Sequence, residues 1–442
     1  STLRHTLFPY TTLFRSINYA GMLHRKQDIE IMAPVGSYES LQAAIQGGAD
    51  AVYFGVENLN MRSKSTFNFT IDDLEQIVNI CRSHNIRTYL TVNTVLYNSE
   101  LGQMKRIVDA AKDSGIDAII ASDFSVIQYA ASIGVELHAS TQVNISNIES
   151  VKFFAQFADV MVLARELSLD QVAEIVERIE DEHITGPSGK LVKVELFAHG
   201  ALCMAISGKC YLSLHEKNYS ANRGQCLQTC RKAYTVREKE SGYELDVDNE
   251  YIMSPKDLMT IDFLNKILDA GVTVLKIEGR ARSPEYVKTV VSCYREAIDA
   301  YFEGTYAEEK IEAWKDRLAQ VFNRGFWDGY YLGRRLGEWS HKYGSQATKR
   351  KYFVGKITNY FTKLRVAELL TEANELSSDD EVIIIGPTTG VVEVKLSELR
   401  VEDESKDYVP KGVRCSFPIE TKLRRSDKLY KLVEKKESKS RF

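Results

Sequence analysis

From Ile29 onward, short apolar runs alternate with longer stretches whose apolar positions recur every three or four residues. Four of the runs follow a glycine or small polar residue: Gly47–Gly55 (GGADAVYFG), Ser114–Ser122 (SGIDAIIAS), Phe157–Arg165 (FADVMVLAR) and Ala270–Gly279 (AGVTVLKIEG). A glycine just past a helix end takes the left-handed conformation that closes the helix. An apolar run after it suits a strand covered by helices. Four further runs, Ile29–Pro34, Arg87–Asn93, Val135–Ser140 and Leu191–Phe197, bring the strands to eight. The stretches between them, such as Ile71–Ser83, Leu101–Asp113 and Leu169–Glu182, predict amphipathic helices. Eight strand–helix units predict an α/β fold, a (β/α)8 TIM-like barrel. An open doubly wound sheet is the alternative, but no G-x-G-x-x-G follows the first strand.

The pattern breaks in two places. A cysteine-rich insertion of residues 200–253 separates the seventh and eighth strands. In a parallel barrel, loops at the carboxyl ends of the strands carry the functional groups, so this one is expected over the mouth. After a last barrel helix (Pro284–Phe302) and a charged helix (Glu308–Phe322), Gly325–Gly344 (GFWDGYYLGRRLGEWSHKYG) reads as a linker or packing strap. Val354–Ile357, Leu364–Leu370, Glu381–Ile385, Val391–Lys395 and Lys428–Leu432 then predict a small C-terminal β-barrel, with GPTTG (Gly386–Gly390) as one of its turns. The expected division is a barrel over 22–345, the β-domain over 346–436 and a frayed tail. Thr6–Ser16 (TLFPYTTLFRS) matches the translation of a common sequencing adapter, so residues 1–21 are set aside and the native chain is expected to start near Met22.

Composition narrows the function. A chain of 442 residues, 44% hydrophobic, can bury a large core and a small one. Its 57 Lys+Arg against 61 Asp+Glu give no global signature of a nucleic-acid binder, so RNA contacts must come from local patches. No 18-residue apolar run is present, which argues against a membrane partner. Seven cysteines, an odd number, disfavour a disulfide framework and point to reducing cytoplasm.

Four of the seven, Cys203, Cys210, Cys226 and Cys230, fall within 28 residues as C-x6-C-x15-C-x3-C. Zinc knuckles use pairs two to four residues apart, and only Cys226 and Cys230 fit that. An iron–sulfur cluster tolerates irregular spacing, because its thiolates bind different iron corners. Iron–sulfur therefore ranks above zinc as the metal on these four ligands, and both rank above coincidence. Cys81, Cys293 and Cys415 read as packing residues. Arg223, Arg231 and Lys232 flank the cluster cysteines; they could lower thiolate pKa, offset charge or touch phosphate.

Strand alternation selects inward polar groups. It turns Glu136, His138 and Ser140 into the barrel, and likewise Glu195 and His199, and Lys276, Glu278 and Arg280. Asn93, Gln142 and Arg165 lie at or just past strand ends. Unpaired buried charge is costly, so this set implies mutual pairing or a polar ligand. Lys276, Arg280 and Arg165 could hold a small carboxylated molecule. His138 and His199 are acid–base candidates beside Glu195, Lys276 and Glu278, although a lone histidine is commonly a satisfied core residue. Arg334–Arg335 and Lys349–Lys351 are candidate phosphate contacts. HExxH, G-x-S-x-G and P-loop motifs are absent.

Glu195–Ser213 (ELFAHGALCMAISGKCYLS) resembles the signature of peptidase family U32, the collagenase-like peptidases. Ala33–Gly55, Arg223–Tyr234 and Ser254–Val287 reinforce it, so the similarity covers nearly the whole native chain. Length and the appended β-domain are similar to the prephenate-dependent tRNA uridine hydroxylases of that family. The resemblance implies a 4Fe-4S cluster on Cys203, Cys210, Cys226 and Cys230, prephenate as co-substrate, and tRNA as partner, with the wobble uridine converted to 5-hydroxyuridine. The alternatives are a peptidase, with Cys203 or a metal-bound water as nucleophile, and a non-catalytic iron–sulfur protein in a biosynthetic complex.

Overall fold

The computed structural model describes residues 25–63, 69–232, 239, 253–333, 337–340 and 344–435. The adapter-like segment, most of 233–252 and Arg334–Arg335 lie outside these residues. Strands β1 (Glu30–Pro34), β2 (Ala51–Phe54), β3 (Arg87–Val92), β4 (Ala118–Ala121), β5 (Leu137–Ala139), β6 (Val160–Val162) and β7 (Lys193–Gly200) pair in parallel, each with the next. A short β8 (Asp257–Met259) runs antiparallel to the end of β7. Strand β9 (Val274–Ile277) pairs in parallel with both β7 and β1 and closes the ring. The eight barrel strands are therefore β1 to β7 and β9, all predicted by the sequence pattern. Strand β10 (Phe326–Trp327) adds to β8.

Helices α1 (Tyr38–Gly47), α2 (Leu74–Ser83), α3 (Leu101–Asp113), α4 (Phe124–Ser132), α5 (Ile148–Phe154), α6 (Leu169–Asp181), a short α7 (Leu212–Lys217), α8 (Leu264–Asp269), α9 (Pro284–Phe302) and α10 (Glu308–Gln320) follow in chain order. Their ends are written locally. Ser37 caps α1 by accepting from the Ser40 amide, and Gly48, at φ +83°, closes it in the left-handed conformation. Ser168 and Gln171 form a capping box on α6.

Two apolar layers result. The outer layer packs strand residues such as Ile31, Leu90, Ile119, Leu196 and Ile277 against the helices. The inner layer is a plug of Met32, Ala51, Tyr53, Tyr89, Ala118, Ile120, Val160 and Val274. Beneath that plug, at the amino ends of the strands, Tyr89 donates to Glu30 at 2.9 Å and Arg87 pairs with Glu136 at 3.0 Å. Burial lifts the Glu30 pKa. For Glu136 burial acts the same way, but His138 and Arg87 outweigh it and bring the value down to about 2.

The C-terminal region is an eight-stranded antiparallel sheet with its own core, including Val354, Leu369, Ile384 and Phe417. The five predicted strands are there, and Arg400–Val401, Glu404–Ser405 and Arg414–Pro418 add three that the pattern missed. The GPTTG turn docks on α1, where Gln46 bonds Thr389 O and the Val391 amide, both at 2.9 Å. Lys349 and Lys351, read above as phosphate contacts, are instead ion-paired to Glu381 (2.7 Å) and Glu285 (2.6 Å). Among the described residues, no helix is long and apolar enough to cross a membrane.

One orientation differs from the alternation rule, and one inward residue lies at a different depth from the mouth. A bulge between Phe197 and His199 keeps Phe197 opposite the inward Lys276 but sets His199 opposite Ile277, which faces the helices. His199 therefore leaves the barrel interior and packs among Tyr286, Tyr294 and Phe326, with Nδ1 3.4 Å from the Tyr294 hydroxyl. His138 does point inward, but it lies under the mouth, with its ring 4.4 Å from Tyr89 and Nε2 3.4 Å from Glu136.

Burial, helped by Arg282, lowers the His199 pKa to about 3 from its ordinary 6.5. As pH falls, the unfolded chain takes up this proton first. The stabilising contribution is thus complete above 6.5 and is lost on the way down to about 3. His199→Gln should show a smaller drop in urea midpoint than the parent between about pH 7.5 and about pH 4.5. Equal drops would show that His199 does not govern this acid sensitivity.

Candidate active site at the barrel mouth

At the carboxyl ends of the strands, a cavity of about 100 Å³ gathers Asn93, Gln142, Arg165, Lys276, Glu278 and Arg280 with Cys203, Cys210 and Cys226. These nine residues were singled out from sequence. The structure adds Arg62, Thr91, Tyr53 and Phe197 to the lining. His138 and His199 are not in it, for the two reasons given above.

The cavity is built on buried ion pairs. Lys276 Nζ meets Glu195 Oε1 at 2.7 Å, and both side chains are sealed from solvent. Burial lowers the Lys276 pKa while Glu195 opposes that shift. Among the described residues, the other carboxylate oxygen of Glu195 is buried with no hydrogen-bond partner. Arg62 meets Glu278 at 2.6 Å. Burial alone would raise Glu278, but Arg62 and Arg282 prevail and bring it down to about 2. Arg280, only 7% exposed, donates to Thr91 Oγ1 at 2.8 Å and Asn60 Oδ1 at 3.1 Å; neither acceptor is a carboxylate. Burial correspondingly lowers its pKa to about 10. Arg165 stacks 3.8 Å from the Phe197 ring, and its Nε is buried without a partner. Four cations thus face two carboxylates, Glu278 and the Glu195 behind Lys276.

The cysteine loop is seated on the loop after β2. Gly224, at φ +74°, lies so close to Asn60 that an added Cβ would come within 2.1 Å of the Asn60 carbonyl oxygen. Arg223 donates to Glu100 at 2.8 Å and to Val95 O at 3.1 Å, and lies over Tyr97. Arg231 binds Ser254 and the Pro255 carbonyl, and Lys232 pairs with Glu216 at 2.8 Å. The three flanking cations therefore anchor the loop rather than lining the cavity.

All four clustered cysteines are free and at least partly accessible, whereas Cys81, Cys293 and Cys415 are buried, with thiol pKa values pushed up to about 12 by burial. Cys230 does not line the cavity but is near enough for the other three to act on it. Its thiol is raised to about 11, first by burial and then, against Arg231, by Cys203, Cys226 and Cys210. Among the described residues, no three His, Cys, Asp or Glu side chains close on a single ion. Three of the four thiols, Cys203, Cys210 and Cys226, edge the cavity.

A second cavity of about 240 Å³ adjoins the first and shares Cys203 and Arg165 with it. Its far wall comes from the predicted strap, which is more than a linker. Trp327 sits on β10, and Trp339 forms an antiparallel bridge to Pro255. Alternation within single strands could not reveal Arg62, Trp327 or Trp339, whose positions follow from long-range pairing.

The family model described as peptidase family U32 matches residues 36–341. The chain belongs to peptidase family U32. This U32 protein is 60% identical over 410 residues to the protein named Collagenase of Porphyromonas gingivalis (strain ATCC BAA-308 / W83), across 93% of this chain and 99% of that one. It is 33% identical over 366 residues to tRNA hydroxylation protein P1 of Bacillus subtilis (strain 168), across 81% and 83% of the two chains. It is also 34% identical over 320 residues to 23S rRNA 5-hydroxycytidine C2501 synthase of Escherichia coli (strain K12), across 70% of this chain and 46% of that one.

Removing Lys276 alone strands a buried carboxylate, which typically costs about 3–5 kcal/mol. Lys276→Ala should therefore lose about that much in equilibrium urea unfolding, and a Lys276→Met, Glu195→Leu pair should recover most of it. A Lys276→Ala protein as stable as the parent would mean that the pair does not hold the mouth together.

Proposed function

We propose that this U32 protein is an RNA-modifying enzyme, a prephenate-dependent hydroxylase that converts the wobble uridine of tRNA to 5-hydroxyuridine. Cys203, Cys210, Cys226 and Cys230 would hold an iron–sulfur cluster of the 4Fe-4S type. When bound, the cluster would supply an electron-transfer or Lewis-acid centre at the mouth. The observation that carries the reading is the meeting of three free thiols, with Cys230 close by, and an under-compensated cationic cavity. Two positive charges in excess of the local carboxylates suit a small dicarboxylate such as prephenate. Arg280 and Arg165, which have no carboxylate partner among the bonds described above, are the groups to grip it. Lys276 and Glu195 set the field beneath, and Asn93 and Gln142 orient the ligand through the chain that links Ser140 and Ser207.

RNA as the macromolecular substrate draws support from the named relatives and from two surfaces. Tyr97, Tyr211 and Tyr219 stand exposed on or beside the cysteine loop, with Arg223 across the Tyr97 ring. On the C-terminal sheet, Arg414, Lys422, Arg424 and Arg425 surround an open hollow beside Tyr360. Interleaved bases and aromatic rings suit a single-stranded loop.

A peptidase is the second reading, favoured by the 60% identity to a protein named collagenase. Against it, His138 and His199 are engaged with Glu136 and Tyr294, and neither is bonded to a cysteine or serine that could serve as nucleophile.

Protein purified without oxygen should be brown and contain iron and labile sulfide, and Cys203→Ala should lose both together with tRNA modification. Nucleoside analysis of tRNA from a deletion strain should lack 5-hydroxyuridine derivatives, and the restored gene should return them. Unchanged nucleosides in the absence of a paralogue would refute the proposal. Arg280→Gln should raise the apparent KM for prephenate by about ten- to a hundred-fold, as expected for a lost charged hydrogen bond. An unchanged KM would remove Arg280 from co-substrate binding.

A further inference from the structure

The cavity beside Cys203 differs in chemistry from the one inside the barrel. Its walls are aromatic: Trp327, Tyr330 and Trp339. The Trp327 and Tyr330 rings meet edge-on at 5.4 Å, and Gly337 lies where a side chain would touch the outer edges of both tryptophans. The walls are held firmly. Trp327 pairs with Leu258 across β10 and β8, and Trp339 is fixed by its bridge to Pro255, with the adjacent Ser340 amide bonding Ser254 O at 2.7 Å.

Among the described residues, two polar groups in this setting lack partners. Trp327 is 7% exposed, and its Nε1–H is buried with no acceptor. Arg165, on the border with the barrel cavity, has a buried Nε without a partner and one long bond of 3.4 Å from Nη1 to Ala201 O. A buried donor left unpaired is costly, and both donors belong to residues that line this cavity. The volume, about 240 Å³, falls below the roughly 300–1,000 Å³ of sites for drug-sized ligands, and suits one flat heterocycle.

We propose that this cavity receives a single pyrimidine base swung out of the RNA loop. The base would stack against the Trp339 and Tyr330 rings, and its carbonyl oxygens would accept from Trp327 Nε1–H and Arg165. An enzyme acting on a base carbon must take that base out of its stack, and the shared Cys203 and Arg165 put this pocket beside both the cysteines and the co-substrate cavity. A proline or aliphatic side chain from a peptide would fill the same space, with only the peptide's backbone carbonyls to accept from the two donors. The inference rests on the RNA-hydroxylation reading above and adds to it the place where the reacting base is held.

The test uses full-length protein purified without oxygen and a labelled anticodon stem–loop. One form carries uridine at the wobble position and the other an abasic residue there. Fluorescence anisotropy should show the uridine loop binding about ten-fold more tightly, as one stacked base warrants. Trp339→Ala should bind the two loops equally. Trp327→Phe, which keeps a ring and removes only the donor, should retain part of the preference and guards against a folding defect in the alanine variant. Equal binding of both loops by the parent protein would overturn the pocket while leaving the RNA reading intact. Binding of neither loop would overturn both. Displacement of the uridine loop by a Gly-Pro-Pro peptide, lost in Trp339→Ala, would assign the cavity to a peptide and overturn the proposal.

Discussion

The mouth of this barrel is organised by the ion pair between Arg62 and Glu278. Arg62 belongs to the loop after the second strand, and Glu278 directly follows the last barrel strand, so the pair clamps that loop across the opening. The same loop presents Asn60, which accepts from Arg280 and forms the surface on which Gly224 rests. One part-buried pair therefore sets the position of the Arg280 guanidinium and the seat of the cysteine loop together. A buried pair gains little net stability over apolar packing, but losing one partner is severe. Its value here is positional.

The sequence carried the barrel well, because each strand and helix is a local pattern. Apolar runs, four of them preceded by a glycine or small polar residue, gave all eight barrel strands, and Leu101–Asp113 and Pro284–Phe302 were bounded correctly. The candidate site was legible where strands were regular: Lys276, Glu278 and Arg280 face the cavity as period two requires. It failed at His199, since one extra residue in a ladder reverses every side chain after it. It misjudged His138 for another reason. Period two gives the face of a strand but not the depth, which depends on how the barrel strands are staggered. The Trp327 and Trp339 wall was out of reach, because strap pairing with β8 and Pro255 is fixed by tertiary contacts alone.

The two kinds of name found among the relatives correspond to two chemistries, and the site weighs differently on them. A peptide hydrolase with a side-chain nucleophile needs a base in contact with it, and the barrel histidines are occupied elsewhere. A redox or group-transfer site needs a cofactor seat, a pocket for a charged co-substrate and a place for the acceptor. The mouth offers a thiol-edged region, a cationic cavity and an aromatic cavity side by side, sharing Arg165 and Cys203.

The antiparallel bridge between Trp339 and Pro255 also bears on how the protein is made. The cysteines leave the ribosome long before the strap that walls the cavity beside them, and the family-matched region ends just after Trp339. Until that segment emerges and docks, the loop stands open on one side. Assembly of any inorganic centre on the nascent chain would thus proceed at an uncovered edge, and arrival of the two tryptophans would seal it as translation moves on to the final domain.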